Sequence, residues 1–155
     1  MSSINSVNIY TDGSCINNGK LNATASIGVW VEGFPDMCLS ERVKSEPQTN
    51  QVAELRAIER ALEIGVRFNK VNVFTDSKYA MNCVTVWCSN WERNGWKSSR
   101  GKPPTNMELI KRIVGKLRIM ESGGKSISFT YISGHSGNEG NEVAHRLAIS
   151  ASRFN

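Results

Sequence analysis

The chain has 155 residues, 39% hydrophobic and 21% charged, with a formal net charge of +5. That is one domain's worth of sequence with enough apolar residues for a core, and no apolar run approaches the roughly 20 residues of a membrane span. The positive charge favours a polyanionic partner such as nucleic acid. The four cysteines, Cys15, Cys38, Cys83 and Cys88, show no C-x-x-C spacing. Structural zinc and a disulfide framework are therefore not expected, and a reducing intracellular compartment fits best. The first ten residues have neither a basic segment nor an apolar one, so no signal peptide is expected. One domain is expected over residues 1–155, with frayed ends at 1–5 and 153–155.

In chain order, Val7–Thr11 reads as a strand, Thr24–Val31 as a second and Met37–Val43 as a third. The short connections predict an antiparallel meander. The period then changes. Leu55, Ile58 and Leu62 recur at helical spacing, with Arg56, Glu59, Arg60 and Glu63 on the other side, in a helix ending near Gly65. Val71–Thr75 is the next strand, and a helix is expected over Ser77–Trp87. "TNME" at Thr105–Glu108 has the pattern of a capping box ahead of an apolar stripe, Leu109, Ile110, Ile113, Val114 and Leu117. Ser126–Ile132 is the last strand. A C-terminal helix follows, with Val143, Ala144, Leu147, Ala148 and Ala151 inward. Three strands followed by alternating helix and strand predict a mixed α/β sheet.

Two segments nearly repeat, "VNIYTDGS" from Val7 and "VNVFTDSK" from Val71. If these strands lie parallel and adjacent, Asp12 and Asp76 share one carboxyl edge, where open α/β sheets bind ligands. Each acid also has an ordinary explanation, as a turn former or as a helix N-cap. Glu54 falls on the apolar stripe that should face the sheet, an unusual place for an unpaired acid. Its ordinary alternative is a solvated helix edge. Three convergent carboxylates form a hard oxygen site suited to Mg²⁺ or Mn²⁺, and two such ions suit in-line attack on a phosphodiester.

"WCSNWERNGWKSSRGKPP" interleaves Trp87, Trp91 and Trp96 with Arg93, Lys97, Arg100 and Lys102. This is either a nucleic-acid surface or a basic loop pinned by core tryptophans. His135 lies among glycines on the loop after a strand of the same sheet, which makes it a candidate proton handler. No G-x-G-x-x-G or Walker loop follows the first strand, which disfavours a nucleotide-binding protein.

T-D-G-S, Q-T-N-Q-x-A-E, T-D-S and G-H-S-G-x-x-G-N-E-x-A occur in order over nearly the whole chain. Together they resemble type 1 ribonuclease H, and the tryptophan-rich segment resembles the basic protrusion of the cellular members. The resemblance implies a ribonuclease H-like fold: a five-stranded mixed sheet, its first three strands antiparallel, with helices on both faces. It implies an endonuclease that hydrolyses the RNA strand of an RNA/DNA hybrid with two Mg²⁺ or Mn²⁺ ions, leaving 5′-phosphate and 3′-hydroxyl ends. Asp12, Glu54 and Asp76 match the metal-binding carboxylates, and His135 matches a loop histidine assisting turnover or product release. Cys15, Asn18, Asn50 and Gln51 match minor-groove contacts, where 2′-hydroxyls identify RNA. Thr49 and Asn106 match a pocket for a DNA-strand phosphate, and Tyr79 and Trp87 match the DNA-strand channel.

The sequence departs from the family pattern at two positions. Pro47 stands where some members carry a basic residue. His145 stands where G-N-E-x-A-D calls for a fourth acid, which makes it a candidate catalytic and metal-binding residue and raises the alternative of a catalytically attenuated hybrid-binding module. The N-terminal segment is too short for the separate hybrid-binding domain of some relatives. A monomer without an obligate protein partner, acting in the cytoplasm or nucleus, is expected.

Overall fold

The computed structural model describes residues 5–97, 101–134 and 137–153. One sheet of five strands organises it, in the order β3-β2-β1-β4-β5. β1 (Ser6–Ile16), β2 (Thr24–Val31) and β3 (Leu39–Arg42) form the expected antiparallel meander. β4 (Lys70–Thr75) and β5 (Ser126–Tyr131) then add in parallel on the far side of β1. The helices are α1 (Asn50–Gly65), α2 (Lys78–Asn82), α3 (Cys88–Arg93), α4 (Met107–Ser122) and α5 (Glu139–Arg153).

Alternation along β1 assigns the two faces of the sheet. Gly13 meets α1, where an added Cβ would lie 2.4 Å from the backbone nitrogen of Glu54. Tyr10 points the other way and packs against Gly140 of α5. The core lies on the α1 side, where Ile9, Val29, Leu55, Ile58, Leu62, Val73 and Ile110 are all fully enclosed. Burying each of these side chains is worth about 1.5–3 kcal/mol.

Four local expectations need correction. β1 does not stop at Thr11 but runs on to Ile16, because β2 continues to pair with it as far as Ile16↔Thr24. The third strand is shorter than Met37–Val43, since a 3₁₀ turn occupies Pro35–Met37. The helix expected over Ser77–Trp87 continues to Arg93 through a π-helical turn at Cys83–Trp87. Glu59, expected on the solvent side of α1, is fully buried. It lies between α1 and α4, bonded to Arg56, Arg112 and Lys116, the last two at 2.6 and 2.7 Å. Burial alone would raise its pKa, but hydrogen bonds from Arg112 and Lys116 hold it at about 2. Among the described residues, no helix is long and apolar enough to cross a membrane.

Candidate active site

Strand register brings two of the acids together. β1 and β4 are parallel with Thr11 opposite Thr75, so the next residue of each chain is an aspartate at the same edge of the sheet. β4 ends there, while Asp12 stays within β1 opposite Gly28 of β2. The turn-former explanation therefore fails for Asp12. The N-cap explanation fails for Asp76, because Ser77 caps α2, its hydroxyl accepting from the Ala80 amide at 3.0 Å.

Glu54 comes from α1, whose N-terminus is fixed by Thr49 accepting from the Val52 amide at 3.1 Å. Only a glycine at position 13 lets the helix approach this closely, and the Gly13 amide donates to Oε1 of Glu54. One carboxylate oxygen from each of Asp12, Glu54 and Asp76 then lies within 4.8 Å of the others.

Asp12 and Glu54 are 5% and 7% exposed. Burial, then the charge of Asp76, pushes the Asp12 carboxyl up to about 6 despite a bond from His145. Burial and the charges of Asp12 and Asp76 push Glu54 well above the usual carboxylate range. Three acids held this close oppose one another's ionisation unless a cation neutralises them. The donors are all oxygen, which fits a hard divalent ion such as Mg²⁺ or Mn²⁺.

His145 reaches the cluster from the opposite face. α5 lies directly on β2 at Gly28, where a Cβ would fall 1.9 Å from the Ala144 carbonyl oxygen. Gly28 is the register partner of Asp12, so α5 descends beside that acid. Nδ1 of His145 lies 2.8 Å from Oδ2 of Asp12, a hydrogen bond in which the ring donates whenever the carboxyl is ionised. The ring is 47% exposed and stands at the rim of the three-acid cluster. Asn50, Asn141, Glu142 and Arg146 also line this cleft.

The other expected residues divide into groups. Cys15, Asn18, Asn50 and Gln51 gather where β1 ends and α1 begins. The Asn50 amide donates to Oδ1 of Asn18 at 3.2 Å, and the Cys15 thiol donates to the Gln48 carbonyl at 3.4 Å. Asn106 does not lie inside a capping box. It precedes α4 in a left-handed conformation (φ 63°), with no cap bond from its side chain. Its amide instead donates to the Tyr79 hydroxyl at 3.0 Å and to Oε1 of Gln51 at 3.4 Å, which ties it to the first turn of α1. Tyr79, Trp87, Trp91 and Trp96 form a run of rings with centroids 6.0–6.3 Å apart. Trp91 and Trp96 pack on the core, whereas Trp87 is 37% exposed. Core tryptophans pinning a loop thus describe two of the three. His135 and Arg100 lie outside the described residues.

Sequence reasoning missed Gln48. Its Oε1 accepts from the Ala25 amide at 2.7 Å, and its Nε2 donates to the carbonyls of Val43 and Glu46 at 3.0 and 3.1 Å. The side chain acts as one more rung of the β2–β3 ladder and sets the path of the chain into Thr49. Its signal in the sequence is its place as the first residue of Q-T-N-Q-x-A-E, just before the N-cap Thr49.

Residues 4–153 match the family model described as RNase H. Human ribonuclease H1 is 40% identical over 143 residues, covering 90% of this chain and 48% of that protein. The chain thus spans about half the length of that relative. The ribonuclease H of Ruthia magnifica is 32% identical over 147 residues, covering 94% of each. The PFV RNase H domain, solved in solution, superposes with a TM-score of 0.76 over 97% of this chain and 96% of that one at 24% identity, a likeness of fold.

Proposed function

This chain belongs to the type 1 ribonuclease H family, and on that premise we propose that it is an endoribonuclease cleaving the RNA strand of RNA/DNA hybrids to 5′-phosphate and 3′-hydroxyl ends. The convergence of Asp12, Glu54 and Asp76 within 4.8 Å carries this reading. These carboxylates would hold two Mg²⁺ or Mn²⁺ ions, with His145 at the rim. When bound, such ions lower the pKa of an attacking water and offset charge on the attacked phosphate. The sheet and its helices form one catalytic domain.

The protein's own groups bind and orient the substrate. Asn50 lines the acid cleft, and Cys15, Asn18 and Gln51 adjoin it. They would read 2′-hydroxyls in the shallow minor groove of a hybrid. Thr49 and Asn106 would receive a phosphate of the DNA strand, and the exposed face of Trp87 beside Tyr79 would guide that strand. Lys97 and Lys102, both exposed, would add positive charge for that strand. His135 would assist turnover.

A second reading, an attenuated hybrid-binding module, is favoured by one observation. At the place of the family's fourth acid stands an imidazole that ties up Oδ2 of Asp12.

The test is cleavage of uniformly labelled RNA in an RNA/DNA hybrid with Mg²⁺ or Mn²⁺, with RNA and DNA duplexes as controls. The proposal expects metal-dependent cleavage of RNA in the hybrid alone. Tight hybrid binding without cleavage in either metal would support the second reading, and absence of both would refute the two together.

A further inference from the structure

Three grooves follow one another around α5. The acid cleft includes His145 and Arg146. Both also line a second groove, with Ser150 and Arg153 further along the helix. Ser150 in turn borders a third groove that contains Lys44, Arg42 and Arg56. Arg146, Ser150 and Arg153 are spaced to share one face of α5. From Arg146 to Arg153 the helix rises about 10 Å, the length of roughly three stacked nucleotides.

The cations along this path are not equivalent. Arg56 is committed to Glu46 and Glu59, and Arg42 donates to the carbonyls of Ala151 and Ser152 at 3.1 and 2.9 Å. Glu41, an acid on the third groove, is engaged by Arg60 at 3.0 Å. Lys44, Arg146 and Arg153 are exposed and make no ion pair among the described residues. A row of uncompensated cations running out of an acid cleft suits a polyanion whose backbone continues from that cleft.

Under the proposed function, the strand that reaches the acids is RNA. The groups proposed to hold the duplex cluster at the start of α1 and around Tyr79 and Trp87. α5 packs on the face of the sheet opposite α1, so Arg146 and Arg153 stand across the sheet from those duplex contacts, and only Lys44, at the far end of the path, lies on the segment leading into α1. We propose that this basic face of α5 binds unpaired RNA continuing from the strand engaged at the acid cluster, that is, a single-stranded RNA overhang of the hybrid. The inference rests on the hybrid-cleaving reading and adds a substrate class to it.

The test compares four hybrids in binding and cleavage: blunt, with an RNA overhang of about ten nucleotides at either end, and with a DNA overhang of the same length. Wild-type protein should bind at least one RNA-overhang hybrid on the order of tenfold tighter than the blunt one, with a steeper salt dependence. The double variant Lys44→Ala, Arg153→Ala should lose that gain, and its slope of log K against log salt on the overhang substrate should fall by about 1.4, or about 0.7 per lost phosphate contact. Its cleavage of blunt hybrid should match wild type, and Lys44→Arg, Arg153→Lys should retain the gain. Three results would overturn the proposal: no gain from either RNA overhang, an equal gain from the DNA overhang, or a gain that survives the double alanine variant. Failure of wild type to cleave blunt hybrid would instead refute the hybrid-cleaving reading, while overhang binding would still report on this groove.

Discussion

His145 and Asp12 are 133 residues apart in sequence, yet Nδ1 of one lies 2.8 Å from Oδ2 of the other. The contact exists because Gly28, the strand partner of Asp12, lets α5 lie directly on the sheet. A fourth carboxylate in place of His145 would add a hard oxygen donor beside the cluster, whereas imidazole suits Mn²⁺ better than Mg²⁺. His145→Asp should therefore raise the Mg²⁺-supported rate and strengthen Mg²⁺ binding on the order of tenfold, with little change in Mn²⁺. Metal titrations by calorimetry and by rate check this, and an unchanged metal preference would show that the histidine plays no part at the metal site.

The raised carboxyls make the metal-free protein sensitive to pH. Asp12 has a folded pKa of about 6 against an ordinary 3.8, and Glu54 is shifted in the same direction. A raised folded pKa means that the group favours folding most below its unfolded pKa and that this support is lost as pH rises through the folded value. Lowering the pH from 7 to 5 should therefore stabilise the metal-free protein, by about 1 kcal/mol from Asp12 alone, or a Tm rise of about 2–4 °C. The stabilising bonds of Glu59 do not interfere, since its contribution is present above about 4.5 and lost only as pH falls through about 2. Saturating Mg²⁺ at pH 7 should raise Tm as well. A Tm that falls steadily from pH 7 to 5 without metal would contradict the clustered-acid geometry.

Glu59 should matter for stability rather than chemistry. Glu59→Ala would leave Arg56, Arg112 and Lys116 facing one another across the α1–α4 contact. Arg112 and Lys116 are partly exposed, so the expected loss is about 2–4 kcal/mol, toward the lower end for breaking a buried pair. Denaturant unfolding measures it, and kcat at a temperature where the variant is folded should be unchanged.

Gln48→Leu should raise KM for hybrid several-fold while changing kcat little. It removes the bonds to Ala25, Val43 and Glu46 that lead the chain into Thr49, Asn50 and Gln51. The orphaned Ala25 amide should also cost about 1–3 kcal/mol of stability. A loss confined to kcat would contradict a positioning role.

Part of the site was legible in the sequence for physical reasons. The repeated octets mark two parallel strands in register from Val7↔Val71 to Thr11↔Thr75, and identical spacing puts both aspartates at one edge. Glu54 was legible because a carboxylate breaks an apolar stripe. Other features depend on partners distant in sequence. Residues 12–16, "DGSCI", have the composition of a turn, and only pairing with β2 makes them strand. Glu59 has the pattern of a surface acid, and its burial follows from cations supplied by α4. Thr105 has the pattern of a capping residue, but α4 starts one residue later, and Tyr79 and Gln51 claim the side chain of the actual N-cap, Asn106.

Asp12, Glu54 and Asp76 should act together as one cation site on a hybrid substrate. The most direct measurement is cleavage of RNA/DNA hybrid at millimolar Mg²⁺ by Asp76→Asn, with Mg²⁺ binding and circular dichroism recorded on the same preparation. Losing one carboxylate should remove several kcal/mol of charge stabilisation, a rate loss of about 10³-fold or more, together with weakened Mg²⁺ binding and an intact fold. A folded variant that cleaves at the wild-type rate would contradict the shared site.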